Sequence, residues 1–351
     1  MSAVEAPAKI LVTGASGFIS AHVCRVALEH GYHVIGTVRS KSKGDYLDNL
    51  FREYGARFRY VVVEDIVKPS VFDDHVKGID AVLHTASPFH FRANDPKELI
   101  DPAVHGTTGI LKSIFKNGPN VKRVVITSSV AAVIFPTESP YTFTEKDWNT
   151  YSPDLIKKEG KNAPQGHKYQ ASKTLAEHAA WEFMKANEGN IKFDLVTINP
   201  SWVLGPTIHQ AKEPKALNES IRQFWEHISR PQPKEALAVS GPNFVDVRDV
   251  ALAHVRALEV SEAGGQRFIA SKGPFTYQQF YDILRDARVP NVPEGYPGCD
   301  KNTKTNYQDG SKAERVLGLK YTHTKDTVID TLMSIRTRFP HTNRQPVHSQ
   351  L

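Results

Sequence analysis

The chain has 351 residues, 40% of them hydrophobic, with 44 basic and 38 acidic side chains and a formal net charge of +6. That length and apolar content support one large α/β unit carrying a smaller lobe, and they exclude wholesale disorder. The positive charge is spread along the sequence rather than gathered into a basic stripe with interleaved aromatics, so a nucleic-acid partner is not expected.

Residues 9–13 form an apolar run, the first predicted strand, which leads straight into Thr13-Gly14-Ala15-Ser16-Gly17-Phe18-Ile19-Ser20. Glycine is needed where the chain turns sharply and where backbone must come close to a pyrophosphate. The helix that follows, predicted over residues 18–29, supplies free N–H donors and a positive dipole. Gly14 and Gly17 fill those positions, and Ser20 stands where a third small residue lets the helix pack on the strand. Because the glycines follow the first strand and open the first helix, a dinucleotide loop is preferred to an ordinary strand-to-helix turn. Gly14, Ser16, Gly17, Phe18 and Ile19 are its binding positions, and the mild positive balance of the chain suits an anionic ligand.

A second strand over residues 32–38 ends in Gly36-Thr37-Val38-Arg39. An enzyme using NAD would place an acidic residue here to hold both ribose hydroxyls. This chain offers Arg39 and, four residues on, Lys43, with no acidic residue between Gly31 and Gly44. A guanidinium meets a 2′-phosphate with paired donors and a nearby ammonium adds charge, so the expected cofactor is NADPH; the alternative is a solvated basic turn. After a third strand over residues 58–63, Asp65-Ile66 offers a carboxylate to the adenine amino group, or else is a loop aspartate.

Strands are also predicted over residues 80–85, 122–127 and 193–199, and a helix over 96–116, with Asp95 placed to cap it and Pro96 at its first position. Near-continuous runs such as Val124-Val125-Ile126 suit parallel strands buried on both faces, and the alternation predicts a Rossmann-type doubly wound parallel sheet. The fifth strand ends in Ile126-Thr127-Ser128-Ser129, at the carboxyl edge where such sheets bind ligands. A hydroxyl there can donate to a carbonyl oxygen and stabilise its growing negative charge. Further on, Tyr169 and Lys173 lie four residues apart on one helical face. Reducing a carbonyl needs a proton donor, and a phenol with its free pKa of about 10 is poorly matched to neutral pH. A neighbouring ammonium, and the positive nicotinamide ring formed during reaction, are expected to lower it.

After Gly205-Pro206 the pattern loosens, with prolines at 214, 231 and 233 and again at 290, 293 and 297. One more strand is expected at 267–270, then helices over 276–285 and 324–338. The division that follows is a dinucleotide-binding domain over 1–204 with a returning segment near 236–273, and a substrate-binding lobe over 205–235 and 274–351. Cys24 and Cys299 cannot build a disulfide framework, and neither has metal-ligand spacing around it, so no metal is expected and a reducing compartment is. The N-terminus lacks signal-peptide features, and no apolar run approaches the roughly 20 residues needed to span a bilayer. Ser349-Gln350-Leu351 lacks the basic middle residue of a peroxisomal signal, so a cytoplasmic protein without membrane attachment, a monomer or homodimer, is expected.

These motifs carry a resemblance. Together with Val82-Leu83-His84-Thr85-Ala86-Ser87-Pro88, Asn199-Pro200-Ser201-Trp202-Val203-Leu204-Gly205-Pro206 and Phe244-Val245-Asp246-Val247-Arg248-Asp249-Val250, they make the chain resemble the extended short-chain dehydrogenases/reductases over nearly its whole length. Within them it resembles the branch of dihydroflavonol reductases, cinnamoyl-CoA reductases and fungal aldehyde, ketone and methylglyoxal reductases. The resemblance implies that Ser129 holds the carbonyl, that Tyr169 is the general acid, and that Lys173 lowers its pKa and binds the nicotinamide ribose. It implies that Thr85, Ala86 and Ser87 line the cofactor cleft and that Pro200, Trp202 and Val203 cradle the carboxamide. Asp246, Arg248 and Asp249 are read as structural.

Two departures narrow the substrate. Gly166-His167-Lys168-Tyr169 differs from the Asn-Trp-Tyr-Cys-Tyr type of stretch in cinnamoyl-CoA reductases and argues against a CoA thioester. Ile134 stands where dihydroflavonol reductases often carry an asparagine. With Phe89, Val130, Phe135 and Trp202, it predicts an apolar pocket for an unhydroxylated carbonyl compound. The expected activity is reduction of a small aldehyde or ketone by NADPH to an alcohol, chiral where the ketone allows it. The rivals are a nucleotide-sugar epimerase or dehydratase and a non-catalytic NADP-sensing protein; a sterol dehydrogenase would normally bring a membrane segment that is absent.

Overall fold

The computed structural model describes residues 3–87, 93–239 and 241–340. In chain order its larger strands are β1 (Lys9–Thr13), β2 (His33–Val38), β3 (Phe58–Val62), β4 (Ala81–His84), β5 (Arg123–Thr127), β6 (Asp194–Pro200), β7 (Trp202–Leu204), β8 (Phe244–Asp246) and β9 (Arg267–Ala270). Seven of them form one parallel sheet in the order β9-β6-β5-β4-β1-β2-β3, and β7 pairs with β8 in a short parallel ribbon beside it. This is the Rossmann-type sheet that the strand-helix alternation predicts. The predicted ends overrun by a residue at several strands because the backbone pairing does too: Asp80 N–H still donates to the Lys9 carbonyl, and Lys122 N–H to the Asp80 carbonyl.

The apolar runs are continuous because successive side chains enter two different helix layers. Ile10, Val12, Leu83 and Val125 pack into one core, while Leu11, Val82, Val124 and Ile126 pack into the other. Over the first face lie α1 (Phe18–Glu29) and α6 (Val247–Glu259). Over the second lie α3 (Lys97–Asn117) and α4 (Gln165–Ala186), whose long sides pack on each other. Leu11 is fully buried, so Leu11→Ala would cost about 2–5 kcal/mol through lost burial and the cavity left behind. Helix α3 starts as its sequence predicts: Pro96 has helical φ and ψ, and the Asp95 carboxylate accepts from Lys97 N–H at 3.0 Å.

Helices not anticipated from sequence are α2 (Lys41–Leu50), α5 (Glu219–Ile228), α6, one over Tyr151–Glu159, and two short ones over Lys234–Ala238 and Ser311–Leu317. Beyond β7, helices α5, α7 (Tyr277–Asp286) and α8 (Thr324–Arg338) gather around Phe244, Phe275 and Phe280. The Asp246 carboxylate caps α6, accepting from Arg248 N–H at 2.8 Å, and also accepts from Thr327 on α8 at 2.9 Å. Arg248 pairs with Asp330 at 2.7 Å, and Asp249 accepts from both the backbone and the side chain of Thr322. All three therefore tie the lobe to the sheet-covering helix.

Candidate active site

The glycine loop sits at the carboxyl edge of the sheet between β1 and α1. Gly14 has φ +66, and a Cβ there would stand 3.0 Å from Ala86 Cα, so the close approach of the β4 loop requires glycine. Its N–H donates to Thr37 Oγ1 at 3.1 Å, and Ala15 N–H to the Thr37 carbonyl at 2.9 Å, fixing the loop to β2. Gly17 precedes α1, which has no side-chain cap and no acidic residue in its first turn. Its first N–H groups, those of Phe18 and Ile19 among them, have no acidic side chain in the first turn to compete with an anion. Ser20 is buried and shares a 2.7 Å hydrogen bond with Thr85, whose hydroxyl donates to the Thr13 carbonyl. Thr85, Ala86 and Ser87 are half-buried around this edge, beside a half-buried Ser16.

At the next corner Arg39 and Lys43 are exposed, one at the end of β2 and the other in the first turn of α2, and neither forms an ion pair among the described residues. The nearest competing carboxylate on α2, Asp45, is taken by Lys41 at 2.8 Å and by the Tyr60 hydroxyl at 2.8 Å. Asp65 is exposed and accepts from Val67 N–H at 2.9 Å, the hydrogen bond of a local turn. Ile66 packs on α3, where a Cβ on Gly106 would come within 2.9 Å of its Cδ1. A glycine cradle, an uncapped helix and two cations without an ion-pair partner among the described residues share one edge and fit a phosphorylated dinucleotide.

Tyr169 and Lys173 stand on α4 opposite Ser129, which follows β5. Ser128 N–H donates to the Ile198 carbonyl at 2.8 Å, so the strand's pairing continues up to the residue before Ser129. Ser129 is extended, with φ −165 and ψ 156, and its Oγ accepts from Ala131 N–H at 3.1 Å. The Ser129 hydroxyl lies close enough to the Tyr169 phenol to favour its ionised form. Burial pushes the phenol up to about 12, with the Ser129 hydroxyl pulling the other way. That is the reverse of the direction expected from a neighbouring ammonium: in the chain by itself, desolvation of the phenolate wins. The Lys173 ammonium is 8% exposed, and burial brings it down to about 8, opposed by the charge of Glu177. Its positive charge adds to the burial that holds His84 at about 3. His84 bonds Thr13 through Nδ1 at 2.9 Å, and its Nε2 has no partner among the described residues.

Glu177, one turn beyond Lys173, is the residue that sequence reasoning left without a role. It is 1% exposed and accepts from Ser128 Oγ, from Thr197 Oγ1 at 3.1 Å, from Asn199 Nδ2 at 2.7 Å and from Arg267 Nε at 2.7 Å. Asn199 also donates to the Ser129 carbonyl at 3.1 Å, so one carboxylate links the helix carrying Lys173 to the backbone of the serine. Asn149 supports the same turn by donating to the Ala131 carbonyl at 2.9 Å. A signal was available: a carboxylate at the fourth position after Lys173 shares its inward face.

The predicted substrate positions do not all gather in one place. Phe89 lies outside the described residues. Val130 and Ile134 share a small cluster with Val133, Phe143, Ile269 and Phe135. Trp202 is instead stacked on Phe275, with ring centroids 5.4 Å apart, in the lobe's aromatic core. Pro200 and Val203 are buried beside it, with Ser201 N–H bonded to the Ala270 carbonyl at 3.0 Å. The cavity that Ile134 lines, about 230 Å³, also receives His167, Gln170, Asn306 and Gln308. The cavity lined by Ile134 is thus of mixed polarity, because Asn306 and Gln308 from the far end of the chain bring carboxamides to it.

Residues 10–270 match the NAD dependent epimerase/dehydratase family. The chain is 38% identical over 340 residues to an NADPH-dependent methylglyoxal reductase of Saccharomyces cerevisiae, covering 93% of this chain and 97% of that protein. It is equally similar, 38% over 345 residues and with the same coverage, to a ketoreductase of Aspergillus niger. The crystal structure of Gre2 from Candida albicans in complex with NADPH matches with a TM-score of 0.85 at 36% identity, covering 95% of this chain and 100% of that one. With most of its length inside the family match, the chain belongs to the NAD dependent epimerase/dehydratase family, the extended short-chain dehydrogenases/reductases that its motifs resemble.

Proposed function

We infer that the chain is an NADPH-dependent carbonyl reductase acting on small aldehydes, ketones or vicinal dicarbonyls such as methylglyoxal. The observation that carries the reading is Tyr169 facing Ser129 beside a buried Lys173, on the same sheet edge as the glycine loop. Bound NADPH supplies the hydride that reaches the carbonyl carbon. Ser129 donates a hydrogen bond to the substrate oxygen, and Tyr169, protonated at neutral pH, gives its proton to that oxygen as negative charge builds. Lys173, held ionised with help from Glu177, stabilises the tyrosinate left behind and donates to the nicotinamide ribose. Gly14, Ser16, Gly17, Phe18 and Ile19 receive the diphosphate, and Arg39 and Lys43 the 2′-phosphate. Asp65 and Ile66 border the adenine, Thr85 to Ser87 border the cleft, and Pro200 to Val203 border the carboxamide.

Residues 205–235 and 274–351 form the lobe that selects the substrate, with Val130 and Ile134 facing it from the sheet. Two free cysteines, Cys24 and Cys299, are at home in the reducing cytoplasm, and no helix among the described residues is long and apolar enough to cross a membrane. The test is loss of NADPH absorbance against a panel of aldehydes, ketones and vicinal dicarbonyls, with NADH in parallel. Rapid oxidation of NADPH is expected; a protein that binds NADPH tightly yet oxidises it with none of them is not this enzyme.

A further inference from the structure

The segment that leaves β7 crosses from one cofactor-facing helix to the next. His22 on α1 donates from Nε2 to the Pro206 carbonyl at 2.8 Å, and the Tyr46 hydroxyl on α2 donates to the Ile208 carbonyl at 2.8 Å. Arg338, at the end of α8, donates to the His209 carbonyl. These three bonds fix the backbone on either side of His209 and lay it between the helix that follows the glycine loop and the helix that follows Arg39. The side chain of His209 is then driven inward. It is 5% exposed, and its ring stands edge-on to Phe18, the first residue of α1, at 5.4 Å between centroids.

Neither Nδ1 nor Nε2 of His209 has a hydrogen-bond partner among the described residues. An imidazole always carries at least one N–H donor, and a buried donor with nothing to receive it is a standing cost that folded proteins rarely retain without a use. Among the described residues the charges that reach the ring are the cations Arg338 and Lys43, while His22 beside it is kept neutral by its own burial. A buried, unmatched donor in basic surroundings, against the first residue of an uncapped helix, is complementary to an oxygen anion. We propose that His209 is a cofactor-binding residue whose imidazole donates an N–H hydrogen bond to a phosphoryl oxygen of bound NADPH. The proposal rests on NADPH being the cofactor. It gives the lobe a hand in holding the dinucleotide, beyond the substrate selection assigned to it above.

Two variants test it by binding, without substrate. His209→Phe keeps an aromatic ring against Phe18 and removes both nitrogens; His209→Asn keeps a donor near the position of Nδ1. Dissociation constants for NADPH and NADH are read from nucleotide fluorescence, and melting temperatures of the unliganded proteins are recorded alongside. The expected result is NADPH binding weakened about tenfold in His209→Phe, partial recovery in His209→Asn, and melting temperatures within a few degrees of the parent. An equal loss for NADPH and NADH places the bond on the diphosphate, and a loss confined to NADPH places it on the 2′-phosphate; either supports the proposal. Unchanged affinities in His209→Phe overturn it. So does a loss of affinity that comes with a collapsed melting temperature and no recovery in His209→Asn. If the parent protein binds neither nucleotide, the cofactor reading itself fails, whereas normal parental binding with an indifferent variant removes only the role of His209.

Discussion

The two ends of the cofactor cleft are built on opposite plans. At the β5–α4 end the charged and polar groups are already matched: Glu177 takes five donors, Arg267 is paired, and Tyr169 faces Ser129. At the β2–α2 end Arg39 and Lys43 stand in solvent with no ion-pair partner among the described residues. The first arrangement places reacting groups before any ligand arrives, as proton transfer within hydrogen-bond reach demands. The second leaves its cations hydrated and gains its energy only when a phosphate comes. On the proposed function, chemistry would be held by rigidity and nucleotide choice by charge left unspent.

The sharpest way to break this contrast is Tyr169→Phe, which removes one hydroxyl from the matched end. Turnover with saturating NADPH and substrate should fall about 10²- to 10⁴-fold while the dissociation constant for NADPH stays within a factor of two, as followed by NADPH absorbance and fluorescence. Next comes Glu177→Gln, which keeps the shape and leaves the buried Arg267 unpaired. Denaturant unfolding should show a loss of about 3–5 kcal/mol. Because Glu177 also favours the charged form of Lys173, the alkaline limb of the rate profile should move to lower pH in this variant.

At the open end, Arg39→Ala should weaken NADPH about tenfold and leave NADH unchanged. The difference should shrink in high salt, since an exposed guanidinium is screened; equal loss for both nucleotides would remove the 2′-phosphate assignment. The smallest effect is a pH slope. Lys173 has a folded pKa of about 8 against an ordinary 10.5, so the folded state binds fewer protons between those values. Stability of the unliganded protein should therefore rise as pH climbs through that window, and Lys173→Met should flatten the rise.

What could be read from the sequence follows the range of the interactions involved. The strands, the glycine loop and the Tyr169–Lys173 spacing are local, set by apolar runs, by a positive φ and by one helical turn. Glu177 escaped because its partners Asn199 and Arg267 lie 22 and 90 residues away, and no local pattern announces a buried ion pair. Gln308 reached the cavity of Ile134 for the same reason, through the two-residue pairing of Tyr307–Gln308 with Thr142–Phe143. The stacking of Trp202 on Phe275 could not be read from its motif, because an aromatic beside a site motif looks the same whether it faces a ligand, packs in a core or does both. The short strand β8 and helix α6 were passed over because the segment was read only as a family motif.

The strand order has a consequence for synthesis. Strands β1 to β4 pair among themselves within residues 9–84, so the nucleotide half of the sheet can form early as the chain emerges. The groups around Glu177 cannot close until β6 and then Arg267 on β9 have left the ribosome. At roughly 5–20 residues per second, the 90 residues separating Glu177 from Arg267 amount to several seconds in which the glutamate is made but unpaired. The reacting end of the cleft is thus the last part of the sheet to be assembled, and a chain truncated before β9 would keep its first strands while lacking the clamp on its serine.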